Sequence, residues 1–337
     1  MQLRKNISLK PYNTFGINVK AKYFAELHSD DEIVEFYSSL GPEHLPVLIL
    51  GTGSNILFTK DYPGAVACIR SKGMVKLMED EKYIYLKIAA GEVWDDVVKY
   101  ALEHGWGGIE NLSLIPGTAG AAPIQNIGAY GVEIRDILWS VEVADVLARN
   151  YRAFRPSDCN FGYRTSIFKT KGMSRMVITG ICLKLRKDPV LRLDYGDICK
   201  ELDKAGINDA TISAVRDIII KIRSSKLPDP SVIGNAGSFF MNPVVSADEY
   251  ARLITEFPHM PSFKSGDTVK VPGAWLIERC GFKGKRYGDA GVHENQPLVL
   301  VNYGSATGMQ ILNLAENIIA SVKEKFGIEL QKEVNIF

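Results

Sequence analysis

Residues 111–131 constrain the fold more than any other part of this chain. They hold Gly117, Gly120, Gly128 and Gly131, with Ala119, Ala121, Ala122 and Ala129 among them. Few of these side chains can fill a core. A stretch of this length without helix or strand periodicity inside a compact domain is usually functional. Leu112, Leu114, Ile115 and Ile127 make it too apolar for a flexible linker. It is suited to laying backbone against something large and flat, and a dinucleotide fits.

A second glycine tract, Gly51-Thr52-Gly53-Ser54-Asn55, follows a short apolar run over 45–50 that reads as a buried strand. Successive N–H groups in such a turn can bind phosphate without net positive charge. The spacing is neither Gly-x-Gly-x-x-Gly nor a P-loop, so alone it fits an ordinary tight turn as well. Further strands are expected over 64–70, 82–90, 137–148 and 174–186. A helix is expected over 92–104, with Val93, Trp94, Val97, Val98, Ala101 and Leu102 on one face and Gly105 as its left-handed stop. Other helices are expected over 211–225, 247–257, 274–280 and 309–326. The last ten residues alternate apolar and polar, which reads as a strand with one polar face. Strand runs mixed with helices point to an α+β protein.

The chain has 337 residues and is 46% hydrophobic, enough for two or three domains. A net charge of +1 gives no footprint for nucleic acid or an anionic membrane, and no apolar run approaches a membrane span. Cys68, Cys159, Cys182, Cys199 and Cys280 are scattered, so free thiols in a reducing cytosol are the simplest account. The five histidines share no metal-ligand spacing, and no metal is expected. A soluble, cytoplasmic monomer is expected.

Gly234-Asn235-Ala236-Gly237-Ser238-Phe239-Phe240-Met241-Asn242-Pro243 places one hydroxyl on a turn of small residues and follows it with two aromatics. Ser238 lacks a Gly-x-Ser-x-Gly context, which argues against a hydrolase. In a dry pocket it can instead give a proton to a carbanion. A serine capping its own turn is the plainer reading of this segment alone.

These segments occur in order with Asn13-Thr14-Phe15-Gly16, Tyr163-Arg164-Thr165-Ser166-Ile167-Phe168-Lys169 and Leu330-Gln331-Lys332-Glu333-Val334. Together they resemble the UDP-N-acetylenolpyruvoylglucosamine reductase (UDP-N-acetylmuramate dehydrogenase) family over essentially the whole chain, in its longer subtype with a tyrosine loop. The resemblance implies a two-subdomain FAD-binding region of the vanillyl-alcohol-oxidase type and a separate α+β substrate domain. The divisions it implies are 1–70 and 71–225 for FAD, 226–326 for substrate, and 327–337 as a strand returning to the active site. It implies non-covalent FAD, NADPH as reductant, and reduction of UDP-N-acetylglucosamine enolpyruvate for peptidoglycan synthesis. An FAD-dependent oxidase of the same flavin fold is the alternative, disfavoured because neither glycine tract holds the histidine often used to attach its flavin.

By position, the resemblance implies Ser238 as proton donor, Arg164 as the grip on the substrate carboxylate, and Glu333 as the group stabilising the enolate. A guanidinium fork suits two carboxylate oxygens and charge that grows in the transition state. Strand alternation alone cannot separate an active Glu333 from a solvated one. Tyr163, Tyr195, Lys226, Asn242, Lys270 and Lys283 are implied on the substrate side. Thr14, Gly51, Thr52, Gly53, Ser54, Asn55, Gly117, Thr118, Gly120, Gln125, Asn126, Ile127 and Gly128 are implied along FAD. Met241 and Lys332 depart from the family's common residues without removing a catalytic group. The tail ends soon after Glu333, which predicts weak anchoring.

Overall fold

The computed structural model describes residues 1–337, except the side chain of Ser265. The chain divides into two compact units, the first formed by residues 1–7, 21–52 and 63–223, the second by 8–20, 53–62 and 224–337.

The first unit is built on two sheets. One has the order Arg4–Ser8, Lys20–Leu27, Tyr62–Ile69, Val47–Leu50, with the last two strands parallel. Its core includes Phe36 and Ile33 from the helix Asp30–Ser38. Ser29 caps that helix through the Glu32 N–H, and Asp30, Asp31 and Glu32 put negative charge at its positive end. The other sheet is antiparallel, in the order Asn150–Phe154, Leu138–Asp145, Met176–Arg186, Tyr83–Ala89, Met74–Glu79. Against it pack Trp94, Val97, Val98, Ala101 and Leu102 of the helix Trp94–Glu103, all buried. Gly105, at φ +75°, turns the chain out of that helix. The thiols of Cys68, Cys159 and Cys182 are buried in this unit, and burial pushes them up to about 11, 12 and 11, which keeps them unreactive.

The second unit has an antiparallel sheet in the order Gly234–Ser238, Val299–Asn302, Ala290–Val292, Arg286–Tyr287. The helix Gly308–Phe326 buries Ile311, Leu314, Ala315, Ile318, Val322 and Phe326 at helical spacing. Thr307 and Gln310 form a capping box at its start, and Gly327 ends it at φ +71°. A smaller antiparallel sheet joins Val244–Ser246, Thr268–Lys270 and Phe263–Ser265.

The Ser238 segment and the tail both differ from the sequence expectation. Residues 234–238 form a strand rather than a free turn, because Asn235 and Ser238 pair with Val301 and Val299. The tail is firmly held, not weakly. Asn335–Ile336 pairs in parallel with Ile56–Leu57, and the Phe337 carbonyl accepts from both the N–H and the hydroxyl of Thr59 at 2.7 Å. The Phe337 ring lies tilted against Phe58 and edge-on to Tyr62. Among the described residues, no helix is long and apolar enough to cross a membrane.

Candidate active site

In the second unit, one bulge sets the position of Ser238. From Asn235 to Ser238 the strand uses one more residue than its partner uses between Val301 and Val299. Such a bulge re-aims a side chain. Gly237 supplies the left-handed step at φ +68°, and its N–H donates to Asn235 Oδ1 at 2.9 Å. Asn235 is itself buried, and its Nδ2 donates to the Pro228 and Ile233 carbonyls. Ser238 is half-buried, and the next two residues, Phe239 and Phe240, are fully buried and in contact, with ring centroids 5.2 Å apart. Ser238 is thus followed directly by two buried rings.

Of the tail expected as a strand, only Asn335–Ile336 forms one, because only there does it find a strand partner; the residues just before it lie alongside this segment. Met241 N–H donates to Gln331 O at 2.9 Å, Glu333 N–H donates to Phe239 O at 2.8 Å, and Phe240 and Lys332 form a bridge. Glu333 O accepts from Asn55 Nδ2 at 3.3 Å. The Glu333 peptide is therefore held on both sides, by the residue after Ser238 and by the second glycine tract. Thr14 joins the same parts: its N–H donates to Gly53 O, and its carbonyl accepts from Asn235 N–H. Met241 and Lys332 fit without disturbance, since they enter the pairing through backbone and Lys332 Nζ meets Glu316.

The other residues expected here have mixed surroundings. Asn242 Oδ1 accepts from the Gly273 N–H at 2.8 Å, at the start of the helix Gly273–Arg279. Lys270 is half-buried in its strand, Lys226 is exposed at the end of the helix Ile212–Lys226, and Lys283 is exposed and paired with Glu278. Ser54 is half-buried in the tract between Gly53 and Asn55.

In the first unit, the long small-residue tract is not structureless. It is a chain of tight turns ending in a hairpin, Gly128–Ala129 with Val132–Glu133, and Leu112, Ala119, Ala122 and Ile127 join the core. It runs along residues 90–94: Trp94 N–H donates to Gly117 O, Ala119 N–H to Glu92 O, and Gly120 N–H to Ala90 O. The two tracts touch where Gly51 meets Thr118, so closely that a Cβ on Gly51 would lie 2.7 Å from Thr118 Oγ1. Beside this contact the Thr52 hydroxyl is buried with no hydrogen-bond partner among the described residues. Buried orphans of that kind are rare and call for an explanation. A ligand oxygen laid against the tract supplies the missing partner, so the residues fit a dinucleotide such as FAD. Gln125 is half-buried, and Asn126, at φ +47°, donates to Glu133 Oε2 and Gly162 O.

Arg164 sits at the tip of a tight turn between Gly162 and Thr165, in the left-handed region at φ +55°. Non-glycine residues there are uncommon and cluster at functional sites. Its Nη2 donates to Gly128 O at 3.0 Å, its guanidinium lies 5.6 Å from the centre of the Tyr163 ring, and its carbonyl accepts from Lys169 Nζ at 2.9 Å. Tyr195 is exposed, with Gly131 beside it.

Sequence reasoning missed Arg223. Burial pulls its guanidinium below the ordinary range; the Tyr130 hydroxyl opposes that, and the charge of Arg164 adds to it. Its Nε is buried with no hydrogen-bond partner among the described residues. Two neighbouring guanidiniums repel unless an anion lies between them. The available signal was its place one helical turn before Lys226.

Comparison with known proteins identifies the family. Residues 21–148 match the FAD binding domain family, and residues 229–337 match the C-terminal domain of UDP-N-acetylenolpyruvoylglucosamine reductase. The UDP-N-acetylenolpyruvoylglucosamine reductase of Flavobacterium johnsoniae is 45% identical, covering 100% of both chains. That of Chromobacterium violaceum is 47% identical, covering 99% of this chain and 98% of its own. The crystal structure of UDP-N-acetylenolpyruvylglucosamine reductase from Thermus caldophilus shares the fold, with a TM-score of 0.68 at 24% identity over 100% of both chains. The flavin-binding region is of the vanillyl-alcohol-oxidase type, followed by a separate C-terminal domain. The chain therefore belongs to the UDP-N-acetylenolpyruvoylglucosamine reductase family, the FAD-dependent oxidoreductases of peptidoglycan precursor synthesis.

Proposed function

We propose that this chain reduces the enolpyruvyl ether of UDP-N-acetylglucosamine enolpyruvate to UDP-N-acetylmuramate, with NADPH as reductant and Ser238, Arg164 and Glu333 at the reacting carbons. FAD held along the two glycine tracts and reduced by NADPH would supply hydride to the terminal carbon of the enolpyruvyl group. Negative charge then grows on the neighbouring carbon and in its carboxylate. The Ser238 hydroxyl gives the proton that completes the lactyl ether. A serine is a weak acid, so it needs a dry pocket and a strong base opposite it; the buried Phe239 and Phe240 support that.

Arg164 holds the carboxylate in its guanidinium fork and offsets the growing charge. Its strained backbone and its bond to Gly128 O support a fixed aim. Arg223 adds a second cation to the same anion. The Glu333 carboxyl, when protonated or hydrogen-bonded to the substrate carboxylate, stabilises the enolate. Tyr163, Tyr195, Lys226, Asn242, Lys270 and Lys283 contact the rest of the substrate. Thr14, the Gly51 to Asn55 tract, Gly117, Thr118, Gly120 and the Gln125 to Gly128 segment line FAD. Residues 1–70 and 71–225 are read as flavin subdomains, 226–326 as the substrate domain and 327–337 as the returning strand. The protein is read as a cytoplasmic monomer.

The observation carrying this reading is the hydrogen bond from Glu333 N–H to Phe239 O, which joins a carboxyl-bearing tail segment to the Ser238 segment. The test is an anaerobic spectrum. NADPH is expected to bleach the yellow holoenzyme, and UDP-N-acetylglucosamine enolpyruvate to restore its colour. Bleaching that the sugar nucleotide fails to reverse counts against the reading.

A further inference from the structure

Asn111 is 1% exposed, at the start of the small-residue tract. Its Nδ2 donates to two backbone carbonyls, Tyr130 O at 2.8 Å and Arg192 O at 2.9 Å. The first lies at the tip of the hairpin that closes the tract. The second lies in the segment that carries Tyr195. An amide nitrogen has two hydrogens and satisfies both acceptors at once.

Other contacts converge on the same junction. Tyr130 and Gly131 occupy the hairpin tip in left-handed conformations, at φ +48° and +79°. Such a pair makes a two-residue turn matched to strand twist, but a tyrosine there is strained. Arg192 Nη1 donates to Gly131 O at 3.3 Å. A Cβ on Gly131 would lie 3.2 Å from Tyr195 Cβ, and one on Gly196 would lie 3.5 Å from the Tyr130 ring. Two residues before the tip, Gly128 O accepts from Arg164. One short hairpin thus meets the arginine on one side and the tyrosine-bearing segment on the other.

We propose that Asn111 is a positioning residue for substrate reduction: its buried amide ties residues 190–197 to the hairpin tip, so that Tyr195 is placed relative to Arg164. The inference rests on the roles read above for Tyr195 and Arg164. Asn111 acts through them and not on the reacting atoms.

The test compares Asn111→Ala, and the milder Asn111→Ser, with the wild-type holoenzyme. Removing the two hydrogen bonds is expected to raise amide hydrogen exchange in 190–197 about tenfold, with little change elsewhere. The KM for UDP-N-acetylglucosamine enolpyruvate is expected to rise by about the same factor, less in the serine variant. Flavin content and the rate of flavin reduction by NADPH are expected to stay within about twofold of wild type. In a Tyr195→Ala background the Asn111 substitution is expected to add almost nothing to KM, since its effect passes through Tyr195. Unchanged exchange in 190–197 overturns the tie itself. A full KM penalty in the Tyr195→Ala background overturns the route through Tyr195. Faster exchange with normal KM in both the Asn111 and the Tyr195 variants leaves the tie standing and removes Tyr195 from the reaction, which overturns the positioning role.

Discussion

The peptide N–H of Glu333 donates to the carbonyl of Phe239 at 2.8 Å, which sets the tail residue against the residue that follows Ser238. The two are far apart in sequence and joined through this main-chain bond. Ser238 is carried by a bulge in the strand Gly234–Ser238, and the Glu333 peptide is fixed by both Phe239 and Asn55. Bonds to main-chain groups, one of them from the Asn55 side chain, set this arrangement.

Ser238→Ala is therefore expected to leave the strand intact. Its pairing with Val299 uses backbone, and the buried Phe239 and Phe240 are untouched. Flavin reduction by NADPH is expected to be normal, while substrate reduction falls about 10²–10⁴-fold, the usual scale for a lost general acid. Anaerobic stopped-flow of the two half-reactions separates them, and equal slowing of both contradicts a proton-donor role.

Glu333→Gln is expected to keep the backbone pairing and lower kcat about 10²–10³-fold with little change in Tm. Cutting the chain before Glu333 removes more than the carboxyl. It also removes the buried Val334 and the Phe337 ring beside Phe58 and Tyr62. That truncation is expected to cost about 2–4 kcal/mol of stability as well as turnover. Thermal melts beside steady-state rates check both; a normal rate in the Gln variant removes the carboxyl from the mechanism.

Much of this fold was legible, because local pattern and tertiary need agree there. The helix expected over 92–104 is Trp94–Glu103, that over 211–225 is Ile212–Lys226, and that over 309–326 is Gly308–Phe326. In each, an apolar face at helical spacing meets a core. The edge strand Met74–Glu79 was not expected, since Val75, Leu77 and Met78 are all exposed and the strand lacks alternation. The sequence of Gly234–Ser238 reads as a turn because glycine and asparagine disfavour strands, and only its partner Val299–Asn302 overrides that. The tie made by Asn111 is illegible for another reason. It depends on contacts with Tyr130 and Arg192, far away in sequence, and no local pattern encodes it.

Arg164→Lys is expected to lower kcat/KM about 10²–10³-fold. A lysine cannot reproduce a fork that holds a carboxylate while one nitrogen bonds Gly128 O. Flavin reduction by NADPH is expected to be spared. Steady-state kinetics check this, and near-normal turnover argues against Arg164 as the carboxylate grip.

Gly51→Ala is expected to weaken flavin retention. The added methyl would meet Thr118 Oγ1 at 2.7 Å, so the two tracts must part or Thr118 must turn. Either change disturbs the backbone of the proposed FAD site. The ratio of visible to ultraviolet absorbance after purification measures flavin content, and full occupancy in the variant counts against this contact as part of the FAD site.

Asp95 joins the helix Trp94–Glu103 to the helix Ile212–Lys226, and the link is sensitive to acid. Arg216 holds both carboxylate oxygens, with Nη1 and Nη2 at 2.8 and 2.7 Å, and the Leu114 N–H adds a bond at 2.6 Å. Leu114 is in the left-handed region at φ +57°, so this carboxylate also steadies a strained step leading into the glycine tract. Burial would raise the Asp95 carboxyl, but the bonds from Arg216 and Leu114 outweigh it and hold the group below its ordinary range. A depressed carboxyl contributes stability above its unfolded value, about pH 4, and loses it as pH falls through the lower folded value. Asp95→Asn is therefore expected to cost about 1.5–3 kcal/mol near neutrality. The difference in Tm from wild type is expected to shrink steadily below about pH 4, where wild type also loses its charge. Calorimetry across that range checks it: a difference that stays constant into acid means that the two oxygens are held by shape and not by charge.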